Sequence, residues 1–513
     1  MSRVEKTLKN TISSLGVQAG NTILNFISRT VLIKKLGETY LGINGLFSNI
    51  LTMLSLTELG VGAALIYLMY KPMAENDEER LNVLMGVYSK IYTAVGIIVL
   101  IIGIGLTPFI TFFMKETPDI QHIYLIYMLY VINMASSYFL VYKSSIITVA
   151  QKAYIVTLVK FAFNIIQNIT QIVVLLMTKN YILFYFCTII FTLVGNIVIS
   201  KKAEKLFPFL KKKSKKKLEQ EEKKEIIKNV SAMFVHKIGS FIVLGTDNLL
   251  IGKFVGIVEV GLYSNYVMFT APITSLVSSL MDSVTASVGN LVNYEDKERV
   301  HQVFKNIYFM TCWLVGFCAV ALCVLCNPFI TIWLGERYIF AEHIVMIIVL
   351  NFYLTLIRKP ANVFKETLGL FWNDRYKSII EAMVNLVVSI ILVKKVGIFG
   401  VFLGTTISTV AVCLWVEPYI LYKRYFGIHL LDYFKMFFKY TLTNILAIVI
   451  IKVIMAQVTV NGFFTFVIAF LLSMIIPNAL YILFFYKSRE MKYFVDIFKG
   501  ILSKFKGFNR VRG

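Results

Sequence analysis

Charged residues are scarce in this chain of 513 residues: they make up 16% of it, hydrophobic residues make up 58%, and the mean hydropathy is +0.73. This composition excludes an ordinary soluble protein, a disordered chain and a coiled coil. Only six cysteines occur, and all of them lie within apolar segments. They therefore indicate small buried side chains, and neither a secreted disulfide scaffold nor a metal site is expected.

Motifs of catalytic sites are missing as well. The chain has no Gly-x-x-x-x-Gly-Lys-Ser/Thr phosphate loop, no His-Glu-x-x-His or paired-cysteine cluster for a metal, and no Gly-x-Ser-x-Gly nucleophile turn. The longest polar segment, 201–228, is too short for a soluble catalytic domain. We therefore expect a protein that is not an enzyme and not an ATP-driven pump, without cofactor or bound metal.

Long apolar runs recur along the whole chain and predict an all-α integral membrane protein. At roughly 20 residues per span, they predict about fourteen transmembrane helices. The predicted helices are 11–33, 44–70, 83–113, 121–142, 153–177, 181–200, 229–252, 261–292, 306–334, 343–357, 378–393, 400–422, 440–456 and 462–486. An even number of spans puts both termini on one side of the membrane.

Basic residues indicate which side that is, because Lys and Arg accumulate in cytoplasmic loops. Most of the 52 Lys and Arg lie in the two tails and in the connections after even-numbered helices. We therefore predict a multi-pass protein of the cell membrane with both termini in the cytoplasm and no removed signal peptide. The same bias explains the net charge of +23 without nucleic acid as a partner.

The lysine-rich segment 201–228 predicts a basic cytoplasmic linker between two lobes, and its charge is typical of contact with anionic lipid headgroups. The predicted parts are an N-lobe with helices one to six, the linker, a C-lobe with helices seven to twelve, and helices thirteen and fourteen with a basic cytoplasmic tail. Their ranges are 1–200, 201–228, 229–424 and 425–513.

A repeated glycine motif supports two pseudo-symmetric lobes of six helices each. Gly37 and Gly42 follow the first helix, and Gly256 and Gly261 follow the seventh, with the same step between the glycines. The alternative is that these glycines only mark short turns.

Polar side chains recur at helical spacing within several predicted helices, although a polar side chain that faces lipid is costly. Such stripes predict a hydrated cavity shared by helices of both halves, whereas amides that join one helix to another are the alternative. The candidate substrate-binding residues on the first and fifth helices are Gln18, Asn21, Asn25, Arg29, Lys160, Asn164, Asn168 and Gln171.

Charged residues at membrane depth point most directly to function, since burying one costs at least ~2.5 kcal/mol. Arg29 and Lys160 are suited to an anion such as phosphate, with pairing of Arg29 to Glu58 as the alternative. Carboxylates that bind H⁺ or Na⁺ couple secondary transporters to ion gradients. The candidate coupling residues, each of which could instead be a counter-ion of a lysine, are Glu58, Asp247, Asp282 and Glu381.

Segments in order along nearly the whole chain share a family pattern. They are 36–47, 58–64, 70–72, 246–248, 261–266, 287–291, 365–376, 381–386 and 400–405. These segments resemble the polysaccharide repeat-unit flippases (Wzx type) of the multidrug/oligosaccharidyl-lipid/polysaccharide exporter superfamily. The Gram-positive capsular and exopolysaccharide branch is the most similar.

The resemblance implies two lobes that open alternately to the two sides of the membrane. They would move an undecaprenyl-pyrophosphate-linked oligosaccharide to the outer leaflet for capsule, exopolysaccharide or another surface polysaccharide. Arg29 resembles a first-helix arginine of the related lipid II flippases. The resemblance further implies that helices thirteen and fourteen form a groove for the lipid tail. It also implies that an ion gradient drives transport. The expected partners are the lipid-linked oligosaccharide, H⁺ or Na⁺ and membrane lipids, with polysaccharide polymerase and assembly proteins as further candidates.

Two other functions stay open at this point. A multidrug or cation antiporter of the same superfamily should have an acidic, aromatic cavity, and Arg29 and Lys160 argue against it. A membrane polysaccharide polymerase or glycosyltransferase should have an extracytoplasmic catalytic loop or an Asp-x-Asp site, and the sequence shows neither. A scaffold for the assembly machinery is compatible with transport.

Overall fold

The structure is a computed structural model that describes residues 3–55, 61–211, 245–370, 374, 376–458, 462–496 and 499. Within these ranges the regular structure is helical and no strand occurs, which confirms the predicted all-α fold. Nine of the described helices are long and apolar enough to cross a membrane, and ten spans result if one bent pair counts as a single span. The chain is thus a multi-pass membrane protein, and the number of fourteen spans stays a prediction.

The first compact unit comprises Met1–Ser264. Its helices, in chain order, are α1 (Arg3–Leu36), α2 (Glu38–Leu54), α3 (Val61–Glu75), α4 (Glu78–Leu106), α5 (Ile123–Tyr138), α6 (Lys143–Val149), α7 (Ala153–Thr178) and α8 (Tyr181–Leu206). The first turns of α9 (Ile257–Tyr294) also belong to it.

Local chemistry sets several of these helix ends. Gly37 joins α1 to α2 with φ of 88°, a conformation that glycine adopts without the strain of a Cβ atom. The Asp77 carboxylate accepts a hydrogen bond from the Arg80 amide and caps α4. The Asn180 side chain accepts from the amides of Ile182 and Leu183 and caps α8. Each cap satisfies amide groups that have no partner within the helix.

Helices α1 and α7 pack directly against each other at Gly20. A Cβ atom at that position would lie 2.5 Å from Cζ of Phe161, so a larger residue would force this ring to shift. This contact brings the polar stripes of the two helices together.

The fourth predicted helix, 121–142, is broken in the structure. It ends at Tyr138, and the chain bends by 48° before it continues as α6. Leu140, within the bend, has φ of 67° although it is not glycine. The tenth predicted helix, 343–357, continues beyond Ile357 with a second helical piece after Arg358.

The second compact unit comprises Asn265–Gly513 and contains most of α9. Its further helices are α10 (Lys297–Trp333), α11 (Glu342–Ile357), α12 (Lys359–Thr367), α13 (Lys377–Val396), α14 (Ile398–Ser408), α15 (Leu414–Tyr419), α16 (Leu430–Ala456) and α17 (Phe463–Phe485). Two π-helical segments, Thr409–Cys413 and Ile420–Phe426, flank α15, so that α14 and α15 form one continuous span.

Candidate functional site

A cavity of about 830 Å³ lies within the first unit, between α1, α2, α5, α7 and α8. Its lining combines one cation, several amides and hydroxyls, and aromatic rings. The described lining contains no carboxylate. The lining residues are Val17, Asn21, Thr52, Ser55, Met134, Ser137, Tyr138, Val141, Thr157, Lys160, Phe161, Phe163, Asn164, Gln167, Phe191, Thr192, Gly195 and Asn196.

A chain of amide hydrogen bonds joins the stripes of α1 and α7 at this cavity. The Asn164 side-chain amide donates to Oδ1 of Asn21 at 2.6 Å. Asn168 in turn donates to Oδ1 of Asn164 at 2.7 Å and to its carbonyl at 2.8 Å. Asn21 and Asn164 line the cavity, whereas Asn168 is 4% exposed and lies behind them.

Lys160 is the cation of the cavity. It lies one helical turn before Asn164 on α7, and its residue is exposed in the part of the chain that the structure describes. Within that part it forms neither a hydrogen bond nor an ion pair. A lysine within a membrane-spanning helix that has no carboxylate beside it among the described residues can bind a negatively charged ligand, because its ammonium group offers three donors and a full positive charge.

The other predicted substrate residues lie elsewhere. Gln171 is 4% exposed and donates to the Phe184 carbonyl at 3.0 Å and to Thr188 at 2.8 Å, so it joins α7 to α8. Gln18 and Asn25 are on α1 but do not line the cavity, and Asn25 is exposed.

Arg29 does not share a site with Lys160. Its guanidinium donates to the hydroxyl of Ser264 in the first turns of α9. Lys160 lines the cavity together with Val17 and Asn21 of α1. Arg29 is about 18 Å further along α1 than Val17, given the rise of an α-helix. The structure therefore separates Arg29 from Lys160 along the axis of α1.

The predicted coupling carboxylates are also scattered. Glu58 lies outside the described residues. Asp247 interacts with Tyr263 in the first unit, and Asp282 is exposed on α9. Glu381 is 8% exposed, and its carboxylate lies 3.7 Å from the guanidinium of Arg358 in the second unit.

Sequence analysis missed two buried charged residues, Glu417 and Arg358, which form a bidentate ion pair in the second unit. The signal was present: Glu417 is an acidic residue inside the predicted helix 400–422, and Arg358 directly follows the predicted helix 343–357. Among the described residues, no group of three or more His, Cys, Asp or Glu could hold a metal ion.

An apolar groove of about 450 Å³ lies in the second unit between α9, α10 and α17. The Trp313 indole donates to the side-chain oxygen of Asn478 at 2.8 Å beside it. The family resemblance implies a lipid groove formed by predicted helices thirteen and fourteen, which correspond to α16 and α17. Of these two, only α17 lines the groove, together with Phe494 beyond its end.

Comparison with known proteins agrees with the fold. Residues 7–286 match the family described as polysaccharide biosynthesis protein. The structure is similar to that of the lipid II flippase MurJ in an inward closed conformation, with a TM-score of 0.65 and 17% identity over 93% of this chain and 99% of the other. It is also similar to an inward-facing multidrug resistance MATE family transporter of the MOP superfamily, with a TM-score of 0.62 and 14% identity over 80% and 98% of the two chains.

A third similar structure is that of the MATE multidrug transporter DinF-BH, with a TM-score of 0.59 and 14% identity over 81% of this chain and 95% of the other. No curated protein matches the chain by sequence. Family and fold resemble transporters and flippases, not enzymes, and they confirm the superfamily that the sequence resembles. Because the family match covers more than half of the chain, the chain belongs to the polysaccharide biosynthesis protein family.

Proposed function

We propose that this protein is a flippase that moves undecaprenyl-pyrophosphate-linked oligosaccharide repeat units across the cell membrane by alternating access. The family match and the similarity to a lipid II flippase support this class of substrate. The observation on which the proposal depends is the cavity of the first unit, where Lys160 faces amides and aromatic rings without a described anion beside it.

The chemistry of the lining suits a phosphorylated sugar. The ammonium group of Lys160 binds the diphosphate as a point charge. Asn21, Asn164, Gln167 and Asn196 offer amide donors and acceptors for sugar hydroxyls. The aromatic rings of the lining provide apolar faces for the sugar, as in most small-molecule sites. The prenyl chain stays in lipid, and the apolar groove of the second unit is a candidate surface for it.

Lys160→Gln tests this role in cells whose only copy of the gene carries the variant. A charge-assisted hydrogen bond contributes about 1.5–3 kcal/mol, so we expect polymer export to fall by about 10- to 100-fold. The lipid-linked oligosaccharide should accumulate in the inner leaflet, where mass spectrometry identifies it. Lys160→Arg, which keeps the charge, should retain more export than Lys160→Gln.

Lys179→Gln is the matched control, because Lys179 is an exposed lysine directly after α7. Export at the wild-type level in Lys160→Gln, with the protein present in normal amount, would contradict the proposed site. The proposed function itself would be contradicted if the lipid-linked oligosaccharide did not accumulate after deletion of the gene.

A multidrug antiporter is the second candidate, and the similarity to MATE transporters and the aromatic lining favour it. Cationic drugs need negative charge nearby, and the described lining of the cavity has a lysine and no carboxylate. Efflux of a cationic dye from cells that express the protein, with unchanged polymer export, would favour the antiporter.

A further inference from the structure

The chain of amides between α1 and α7 has a direction, because a backbone carbonyl fixes one of its ends. The side-chain nitrogen of Asn168 lies 2.8 Å from the carbonyl oxygen of Asn164. A carbonyl oxygen only accepts hydrogen bonds, so the group of Asn168 that faces it is the NH2 group. The same nitrogen lies 2.7 Å from Oδ1 of Asn164 and donates to it as well. The orientation of the Asn168 amide therefore follows from the backbone of α7.

This orientation is passed on to the next two amides. Because Oδ1 of Asn164 accepts from Asn168, the Nδ2 group of Asn164 faces α1 and donates to Oδ1 of Asn21 at 2.6 Å. Asn21 thus uses its oxygen to pair with α7. Its NH2 group forms no hydrogen bond with the residues that the structure describes, and Asn21 is half-buried at the lining of the cavity. A donor is therefore left for a ligand at this position.

The ammonium group of Lys160 lies in the same part of the cavity. Gly20 of α1 packs against the ring of Phe161 of α7, and Asn21 and Lys160 are the chain neighbours of these two residues. Both of them line the cavity. Lys160 offers three hydrogen-bond donors and Asn21 offers two, and neither side chain offers them to a described residue. The contact of α1 with α7 thus borders a group of unengaged donors.

The hydroxyl groups of the lining have the opposite polarity. Each of the following donates its proton to a carbonyl oxygen of the preceding turn: Thr52, Ser55, Ser137 and Thr157. The lone pairs of their oxygens remain for a ligand, and these suit the hydroxyl donors of a sugar. The donors at Asn21 and Lys160 suit a group that has acceptor oxygens and no donors, such as an ionised phosphate.

We propose that Asn21 and Lys160 together bind the diphosphate of the lipid-linked substrate, and that Asn168 is a positioning residue that keeps the NH2 group of Asn21 turned toward it. Asn168 is 4% exposed and does not line the cavity, so it acts on the ligand through Asn164 and Asn21. The inference rests on the proposed function and deepens it, because it assigns the diphosphate to the contact of α1 with α7.

The direction of the amide chain matters because Lys160 is close to its free end. Without the hydrogen bonds from Asn168, the amides of Asn164 and Asn21 can turn over together. The oxygen of Asn21 would then pair with the ammonium group of Lys160 and compete with the anion for it. Asn168 prevents this pairing, so a buried residue without ligand contact determines whether the site presents donors only.

The test is the binding of inorganic pyrophosphate to the purified full-length protein, measured by isothermal titration calorimetry at fixed pH and ionic strength. A hydrogen bond to a charged group contributes enough for about a tenfold change in affinity, so Asn21→Ala should raise Kd about tenfold. Asn168→Leu should raise Kd by a similar factor, although the residue does not line the cavity. In the double variant Kd should equal that of Asn21→Ala within about twofold, because Asn168 acts only through Asn21.

Gln171→Leu is the matched control for lost packing. Gln171 lies one turn after Asn168 on α7, is also 4% exposed, and forms its hydrogen bonds with α8. Its Kd for pyrophosphate should stay within about twofold of the wild type. The inference is overturned if Gln171→Leu weakens binding as much as Asn168→Leu does. It is also overturned if the losses from Asn168→Leu and Asn21→Ala multiply in the double variant, because Asn168 then acts without Asn21.

Asn21→Asp decides the question independently of whether Asn168→Leu folds. One carboxylate oxygen can accept from Asn164 as Oδ1 of Asn21 does, so the contact between the helices is retained. The second oxygen replaces the donor and pairs with Lys160, so pyrophosphate should bind more weakly than to Asn21→Ala. Wild-type affinity of Asn21→Asp, or no binding of pyrophosphate by the wild type, would overturn the inference. If deletion of the gene leaves no lipid-linked oligosaccharide behind, the proposed function fails, and the titrations still decide on Asn21 and Asn168.

Discussion

Gly20 and Gly16 lie one turn apart on α1, and alanine should be less favourable at Gly20 than at Gly16. At Gly20 the new Cβ atom would lie 2.5 Å from Cζ and 2.8 Å from Cε2 of Phe161, whereas at Gly16 nothing lies within 4 Å. Glycine to alanine favours a helix by about 1 kcal/mol at both positions. Gly16→Ala should therefore stabilise the protein by about 1 kcal/mol.

The difference between the two variants isolates the clash, because the gain in helix propensity is common to both. An ordinary contact begins at about 3.4 Å, so the Phe161 ring has to move by roughly 1 Å, and overpacking of this kind costs about 1–3 kcal/mol. We expect Gly20→Ala to have a free energy of unfolding about 1–3 kcal/mol below that of Gly16→Ala. Unfolding of both proteins by SDS in mixed micelles measures this difference.

A double variant supplies the internal control. Phe161→Leu removes the ring atoms that a Cβ atom at Gly20 would meet, so Gly20→Ala should cost less in that background than in the wild type. Equal free energies of unfolding for Gly16→Ala and Gly20→Ala, or an unchanged cost in the Phe161→Leu background, would refute the packing of α1 against α7 described above.

Two further predictions concern contacts of the first unit. The hydrogen bond between Asn164 and Asn21 should give a coupling free energy of about 0.6 kcal/mol in a double-mutant cycle with alanine, the average for such bonds in a membrane protein, and a cycle with Asn25 should give none. Gly42→Ala should lower the melting temperature more than Gly86→Ala, because its Cβ atom would overlap the backbone carbonyl of Ile257 while Gly86 faces open space. A melting temperature of Gly42→Ala at or above that of Gly86→Ala would contradict this close approach.

The fold class was predictable from the sequence because hydropathy and helical spacing are local properties. The contact of α1 with α7 agrees with the same pattern: Asn21 and Asn164 lie on stripes with helical spacing, and their side chains form a hydrogen bond. The bend after Tyr138 was not predictable, since neither glycine nor proline marks the positive φ of Leu140.

The partners of individual polar groups could not be predicted in the same way. The helical spacing of the polar residues places Gln171 on the same face of α7 as Asn164. It does not predict that Gln171 bonds to Phe184 and Thr188 of α8, whereas Asn164 borders a cavity. The sequence does not mark Glu417, because it is a single acid within an apolar run. Its partners, Lys377 and Arg358, lie 40 and 59 positions away in the chain. Pairings over such separations depend on helix packing, which one sequence does not reveal.

The hairpin of α7 and α8 has a consequence for how the cavity adapts to ligands of different size. Only Lys179 and Asn180 connect these helices, and Gln171 ties them together again two turns below. The wall of the cavity that α7 and α8 form therefore resists separation of these two helices. A larger ligand in this cavity would displace α1, α2 or α5, so sequence changes that alter the size of the ligand should fall on those three helices and not on α7 or α8.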